Sequence, residues 1–228
     1  MQDELGDKIK RNFEDALRVQ LPRRTHLVIR IDGRRFHTFT KGLTRPYDRG
    51  LADALDTAAV ALAAEMPGCR LGFGQSDEYS FLLTDFSSEH EKMWFDGNVQ
   101  KIVSVAASIF TAHFARVFAL ATFDARVMVI PRRADVIDYF IWRQMDASAN
   151  SLNMLAAAHY SHEELLGKST AEKHDLLHAK GLNWAKQETS FKRGRVVRPA
   201  AKGFEVDLEP PVFPRAPEYL AALIPEGT

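Results

Sequence analysis

Apolar residues recur every three or four positions over several long stretches of the chain and bunch into short runs between them. Leu5, Ile9, Phe13 and Leu17 stand four apart among charges, which predicts an amphipathic helix over residues 3–19, ended by Pro22. Residues 26–32 form a compact apolar run closed by Asp32-Gly33, the pattern of a strand with a sharp exit. Leu51, Leu55, Ala59, Leu62 and Met66 give helix spacing over 48–66, stopped by Pro67-Gly68. Residues 69–73 and 79–84 read as strands, joined by turn chemistry from Gly74 to Glu78. Ile102, Ala106, Ile109, Phe110, His113 and Val117 share one face of a helix over 99–118, and residues 124–130 form another strand run before Pro131. The order over 26–130 is therefore βαββαβ, the split βαβ arrangement of a ferredoxin-like sheet.

Downstream, residues 134–180 read as helical, with capping boxes at Ser161…Glu164 and Ser169…Glu172 and a glycine stop at Gly181. Two strand-like runs, 195–197 and 204–208, follow, and the last twenty residues, with five prolines, read as an extended tail. The expected class is α+β. Residues 1–132 form the core with its N-terminal helix; residues 133–228 form a helical extension, a basic strand segment and a Pro-rich tail packed on it.

The 228 residues suit one large domain or one domain with an appendage. Hydrophobic residues at 46% and charged residues at 26% are ordinary globular values, so the bulk is not disordered. Lys+Arg and Asp+Glu are both 30, so any nucleic-acid-binding surface is local rather than a property of the whole chain. One cysteine, Cys69, excludes an internal disulfide and a multi-cysteine zinc site, and as a buried strand-start thiol it is expected to be inert. No apolar run is long enough for a membrane helix, and Met1-Gln2-Asp3-Glu4-Leu5 lacks a signal core; the expectation is a cytoplasmic protein without membrane contact.

Topology points to the chemistry. In a ferredoxin-like sheet the first strand lies antiparallel to the third, so Asp32 meets Asp77 and Glu78, although Asp77 is 45 positions away in sequence. Gly33 permits close backbone approach. Neighbouring carboxylates repel, and a hard divalent cation removes that cost; Mg²⁺ accepts carboxylate, carbonyl, water and phosphate oxygens. Two such ions serve phosphoryl or nucleotidyl transfer. Taken singly, Asp32-Gly33 reads as a turn and Asp77-Glu78 as a polar hairpin tip; their pairing across the sheet favours the site.

The segments Arg30-Ile31-Asp32-Gly33-Arg34-Arg35-Phe36-His37 and Gly74-Gln75-Ser76-Asp77-Glu78-Tyr79-Ser80-Phe81 resemble the signatures of the tRNA-His guanylyltransferase family. Thr44-Arg45-Pro46-Tyr47-Asp48 is similar to its lysine-proline-asparagine-aspartate segment, and Phe123–Val127 and Trp142–Ala147 resemble further blocks in the right order. The resemblance spans roughly residues 8–200. It implies a polymerase-palm core that extends RNA in the 3′-to-5′ direction, with Asp32, Asp77 and the Gly33 carbonyl holding two Mg²⁺ ions and Glu78 as a supporting catalytic acid. It implies nucleotide contacts from Arg34, Arg35, Phe36, His37, Arg45, Asp48, Ser76, Lys101 and Asn150. GTP and ATP are the implied nucleotides, tRNA the partner and a homotetramer the assembly, with Phe114, Phe118 and Phe140 available for interfaces. Lys101 reads equally as a solvated helix residue, Asn150 as a helix-interior hydrogen-bonding one, and Arg126 as a phosphate contact or a carboxylate partner.

The chain departs from eukaryotic members at Asp146–Met154, where Ser148 occupies the position of a family histidine, and at Asn98, where an arginine is common. Both changes resemble the bacterial and archaeal branch, which implies template-directed repair of 5′-truncated tRNA as well as, or instead of, guanylylation of tRNA-His. Lys192, Arg193, Arg195 and Arg198 lie in a window with no acidic residue, a candidate track for RNA phosphates. His174 and His178 have metal-ligand spacing without the metalloprotease glutamate or a third ligand, and Gly167-Lys168-Ser169 lacks the remainder of a phosphate loop. Two other readings remain: a nucleotide cyclase using the same acids on free nucleotide, and a non-catalytic RNA-binding module.

Overall fold

A computed structural model describes residues 3–86 and 90–226; Met1 and Gln2 of the charged N-terminus, and Gly227 and Thr228 of the tail, lie outside the described residues. The helices are α1 (Glu4–Ile9), α2 (Phe36–Phe39), α3 (Arg49–Glu65), α4 (Val99–Val117), α5 (Arg133–Ala157), α6 (His162–Leu165), α7 (Thr170–Ala179), α8 (Thr189–Arg193) and α9 (Pro217–Leu223). The strands are β1 (His26–Gly33), β2 (Cys69–Gln75), β3 (Glu78–Leu83), β4 (Phe123–Ile130), β5 (Arg195–Ala200) and β6 (Gly203–Asp207). They form one antiparallel sheet in the order β4-β1-β3-β2-β5-β6. The class is α+β.

Alternation along β1 explains the two-sided core. Leu27, Ile29 and Ile31 point to α3 and α4, whose Leu55, Leu62, Ile102 and Phe110 are buried against them, while Val28 points to the opposite face with Phe140 of α5. With both faces covered, β1 reads as a continuous apolar run rather than a strict alternation. β5 adds to the edge of β2, so the C-terminal part of the chain continues the same sheet.

Several expectations change. The helix expected over 3–19 is regular only in α1; a π-turn over Lys10–Glu14 and a 3₁₀ turn over Asp15–Leu17 follow, and Leu5, Phe13 and Leu17 face solvent. The wider spacing of a π-turn rotates the apolar stripe away from a single line. β2 and β3 run closer together than expected, leaving Ser76-Asp77 as the whole turn and putting Glu78 in the strand opposite Gln75. The Pro-rich tail is not extended: Pro217 sits in the first turn of α9, where a proline costs no hydrogen bond, and Leu220 and Ile224 are buried. Phe114 and Phe140 are buried within the chain and supply no interface. The capping boxes of α6 and α7 are both present. Among the described residues no helix is long and apolar enough to cross a membrane.

Candidate active site

The β1–β3 pairing sets Asp32 opposite Glu78, and the β1–β4 pairing sets Asp32 opposite Asp124. Asp77 follows Ser76, whose backbone is left-handed (φ 53°) at the tight β2–β3 turn. That turn folds the Asp77 carboxylate back over Gly33: its Oδ2 lies 2.7 Å from where a Gly33 Cβ would stand, space only glycine leaves open. Ser76 donates its hydroxyl to Asp77 Oδ1 at 3.0 Å. Burial raises the Asp77 pKa and the Asp32 charge adds to it, against the hydrogen bonds that lower it.

Asp32 is bracketed by cations, with Arg126 Nη2 at 3.6 Å and Arg30 Nη2 at 3.7 Å. Arg126 also meets Asp124 at 3.4 Å, so it pairs with carboxylates in this structure. Glu78, expected as a supporting acid, is clasped by two arginines: Arg30 Nη2 donates to its Oε2, and Arg143 Nη2 lies 2.9 Å from its Oε1. Burial raises the Glu78 pKa, and the Arg143 and Arg30 charges oppose that shift. Arg143 also reaches Asp146 at 2.8 Å, and Asn150 donates to the same Asp146 oxygen at 3.2 Å. Arg30 and Arg143 escaped the sequence reading. The signal for Arg30 was present: it stands two residues before Asp32, hence on the same face of the strand.

Beside the acids opens a cleft of about 300 Å³, whose lining includes His37, Arg45, Asp48 and Ser76. Asp48 caps α3, accepting from the Leu51 amide at 2.9 Å and the Thr44 amide at 3.1 Å, and the Leu51 bond leads in lowering its pKa. Leu51, Ala52 and Leu55 of α3 and Met154, Ala157 and Ala158 of the α5 end supply an apolar wall. The other nucleotide candidates do not line the cleft. Phe36 is a core residue packed on Phe39 and Phe123, Arg34 and Arg35 are exposed, and Lys101 extends over the Phe95 ring.

The basic window does not form a uniform surface. Arg195 is turned inward, its Nε donating to Asp56 Oδ1 at 2.7 Å and its Nη2 to the Tyr79 hydroxyl at 2.8 Å, so it is withdrawn from the RNA-facing set. Burial alone would lower its pKa; its interactions with Tyr79 and Asp56 outweigh that and raise it. The Tyr79 hydroxyl is pushed well above its ordinary value, first by burial. Arg198 pairs with Glu205 at 3.0 Å. Lys192 and Arg193 stay half-buried at the end of α8. Asp56 was also missed, although it lies on the apolar face of α3 with Ala52, Leu55 and Ala59, a position that calls for a buried partner. Burial pushes the Cys69 thiol up to about 12, which leaves it protonated and unreactive.

Among the described residues, no group of three or more His, Cys, Asp or Glu side chains is arranged to hold a metal ion; Asp32 and Asp77 offer two carboxylates beside Gly33. The His174 and His178 rings lie tilted at 6.3 Å between centroids, with Trp184 edge-to-face against His174.

Comparison with known proteins identifies the family. The family model described as tRNAHis guanylyltransferase matches residues 7–131. The tRNA(His) guanylyltransferase of Debaryomyces hansenii is 30% identical over 198 residues, covering 76% of this chain and 73% of that protein. A solved bacterial tRNA(His) guanylyltransferase-like protein in complex with ATP superposes with a TM-score of 0.92 at 39% identity, over 97% of this chain and 99% of the other. The tRNA(His) guanylyltransferase structure from Saccharomyces cerevisiae gives 0.72 at 26% identity, over 88% of this chain and 95% of that one. Acids, cleft and likeness converge, and the chain belongs to the tRNAHis guanylyltransferase family of nucleotidyltransferases.

Proposed function

We propose that this chain is a magnesium-dependent 3′-to-5′ nucleotidyltransferase that adds nucleotides to the 5′ end of tRNA. The observation that carries the reading is the meeting of Asp32, Gly33 and Asp77 next to Ser76, which lines a cleft together with His37, Arg45 and Asp48. The strand order β4-β1-β3-β2, with α3 and α4 on one face, fits a ferredoxin-like, palm-type sheet.

The donor set suits hard cations. Both carboxylates are oxygen ligands, the space above Gly33 lets Asp77 approach the backbone, and guanidinium groups now balance Asp32. Asp32, Asp77 and the Gly33 carbonyl oxygen would hold two Mg²⁺ ions, which when bound neutralise the charge of a triphosphate. Arg45 offers a planar fork to phosphate where the family segment has a lysine. The apolar wall beside it fits the flat face of a base.

The reaction has two steps. An oxygen of the tRNA 5′-monophosphate attacks the α-phosphorus of GTP or ATP and expels pyrophosphate. The 3′-hydroxyl of the incoming nucleotide, losing its proton, then attacks the activated 5′-phosphorus and expels the nucleoside monophosphate. Positioning and charge neutralisation suffice for both, and no covalent enzyme intermediate is required. Ser148, in place of the family histidine, supports template-directed repair of 5′-truncated tRNA. Lys192 and Arg193, half-buried at the end of α8, are the side chains of the basic window we assign to tRNA phosphates. The exposed Leu5, Phe13 and Leu17 fit assembly of copies, and we assign a homotetramer working in the cytoplasm.

The test is incubation with labelled GTP and a 5′-monophosphorylated tRNA lacking its first nucleotide, followed by sequencing. Growth at the 5′ end, absent in Asp77→Ala, is the expected result. Cyclic product formed without RNA would replace this reading with a cyclase, and tRNA bound with neither product formed would leave only an RNA-binding module.

A further inference from the structure

Arg195 is both deeply buried and part of the cleft lining: its side chain is 1% exposed. The fork is used unevenly. Nε and Nη2 are committed to Asp56 and Tyr79 at 2.7 and 2.8 Å, whereas Nη1 has one long contact, 3.5 Å to the Tyr47 hydroxyl. Tyr47 lines the cleft, so Nη1 is the cleft end of the guanidinium. A guanidinium carries five N–H donors, and Nη1 holds two of them.

The charge of this donor is already balanced by Asp56. The cleft it lines also carries an apolar wall of Leu51, Leu55 and Met154. A neutralised donor in an apolar wall matches a neutral acceptor better than a phosphate, which an unpaired cation serves more strongly. A purine has that character: an apolar face, with ring-nitrogen and carbonyl acceptors on its edge. The bonds to Asp56 and Tyr79 fix the fork before any ligand arrives, so little ordering entropy is spent on binding.

We propose that Arg195 reads the base of the nucleotide in the cleft, with Nη1 donating to a ring-nitrogen or exocyclic-oxygen acceptor of the purine. This rests on the reading of the cleft as a nucleotide site. The residue thus acts in specificity, not in RNA-phosphate binding as its charge in the sequence suggested.

The experiment measures binding of GTP, 7-deaza-GTP, 3-deaza-GTP, 2-aminopurine riboside triphosphate and inorganic tripolyphosphate to the full chain by calorimetry. The three analogues remove N7, N3 and O6 in turn. One of them is expected to bind about tenfold more weakly than GTP. In Arg195→Lys, which keeps a cation for Asp56 but lacks the third nitrogen, that difference should shrink to within about twofold while tripolyphosphate binding stays unchanged. Three analogues binding the native chain as tightly as GTP would overturn the proposal without any variant, even if Arg195→Lys does not fold. So would an analogue penalty that persists in Arg195→Lys, or tripolyphosphate affinity falling in step with GTP. GTP affinity untouched by His37→Ala and Arg45→Ala sinks the nucleotide reading and this inference together; affinity lost in those variants with no analogue effect sinks this inference alone.

Discussion

Gly33→Ala isolates the close approach on which the acidic pair depends. An added Cβ would stand 2.3 Å from Phe36 Cδ2 and 2.7 Å from Asp77 Oδ2. Phe36 has little room to yield: it is 6% exposed and packed on Phe39, Phe123 and Phe114 at centroid distances of 5.0, 5.4 and 6.1 Å. Overpacking of this kind costs about 1–3 kcal/mol, and for a chain of this size each kcal/mol lowers Tm by roughly 2–4 °C. Asp77, on a two-residue turn, moves more easily. Restoring ordinary contact at 3.4 Å from 2.7 Å shifts its carboxylate about 0.7 Å, and a misplacement approaching 1 Å costs about 100-fold in rate. Gly33→Ala should therefore lose some 100-fold in transfer rate at 25 °C while remaining folded. Gly33→Ala/Phe36→Leu relieves one clash and leaves the other. Thermal unfolding and single-turnover transfer are measured on both; Tm should recover in the double variant and the rate should not. A rate restored along with Tm would show that Phe36 packing, rather than the seat of Asp77, governs the site. A native rate in Gly33→Ala would refute the close approach altogether.

Burial raises the Asp77 pKa above its ordinary 3.8, so the folded chain binds more protons than the unfolded one and loses stability as pH rises through and above that value. Asp77→Asn should abolish transfer yet raise Tm at neutral pH, with a smaller gain at low pH; a lower Tm at neutral pH would contradict the burial argument. Lys192→Ala/Arg193→Ala should weaken tRNA binding and reduce the slope of log affinity against log salt by about one per lost phosphate contact, read from affinities between 50 and 200 mM salt; an unchanged slope would show that these side chains do not meet the RNA.

The residues that line the candidate site were unequally visible in the sequence, and the differences have physical causes. Asp32 and Asp77 could be brought together because strand order follows from the βαββαβ alternation, and antiparallel pairing places the end of β1 beside the start of β3. His37, Arg45, Asp48 and Ser76 gather at the cleft. Arg195 could not be placed from its neighbours, because the charge of Lys192, Arg193 and Arg198 around it suggests a surface. Its partner Asp56 is 139 positions away, and only the β2–β5 pairing turns the guanidinium toward α3. The clasp of Glu78 by Arg143 likewise depends on how α5 packs on the face of the sheet opposite α3 and α4. The tail illustrates the converse error: prolines forbid a helix interior but not its first turn.

Local periodicity alone was enough to place β1, α3, α4 and β4, because amphipathic spacing is a property of the segment itself. Which charges end up inside was left to the assembled fold. A buried cation is tolerated only where distant groups, here Asp56 and Tyr79, arrive to satisfy it, and their arrival is a consequence of packing that no stretch of chain encodes by itself.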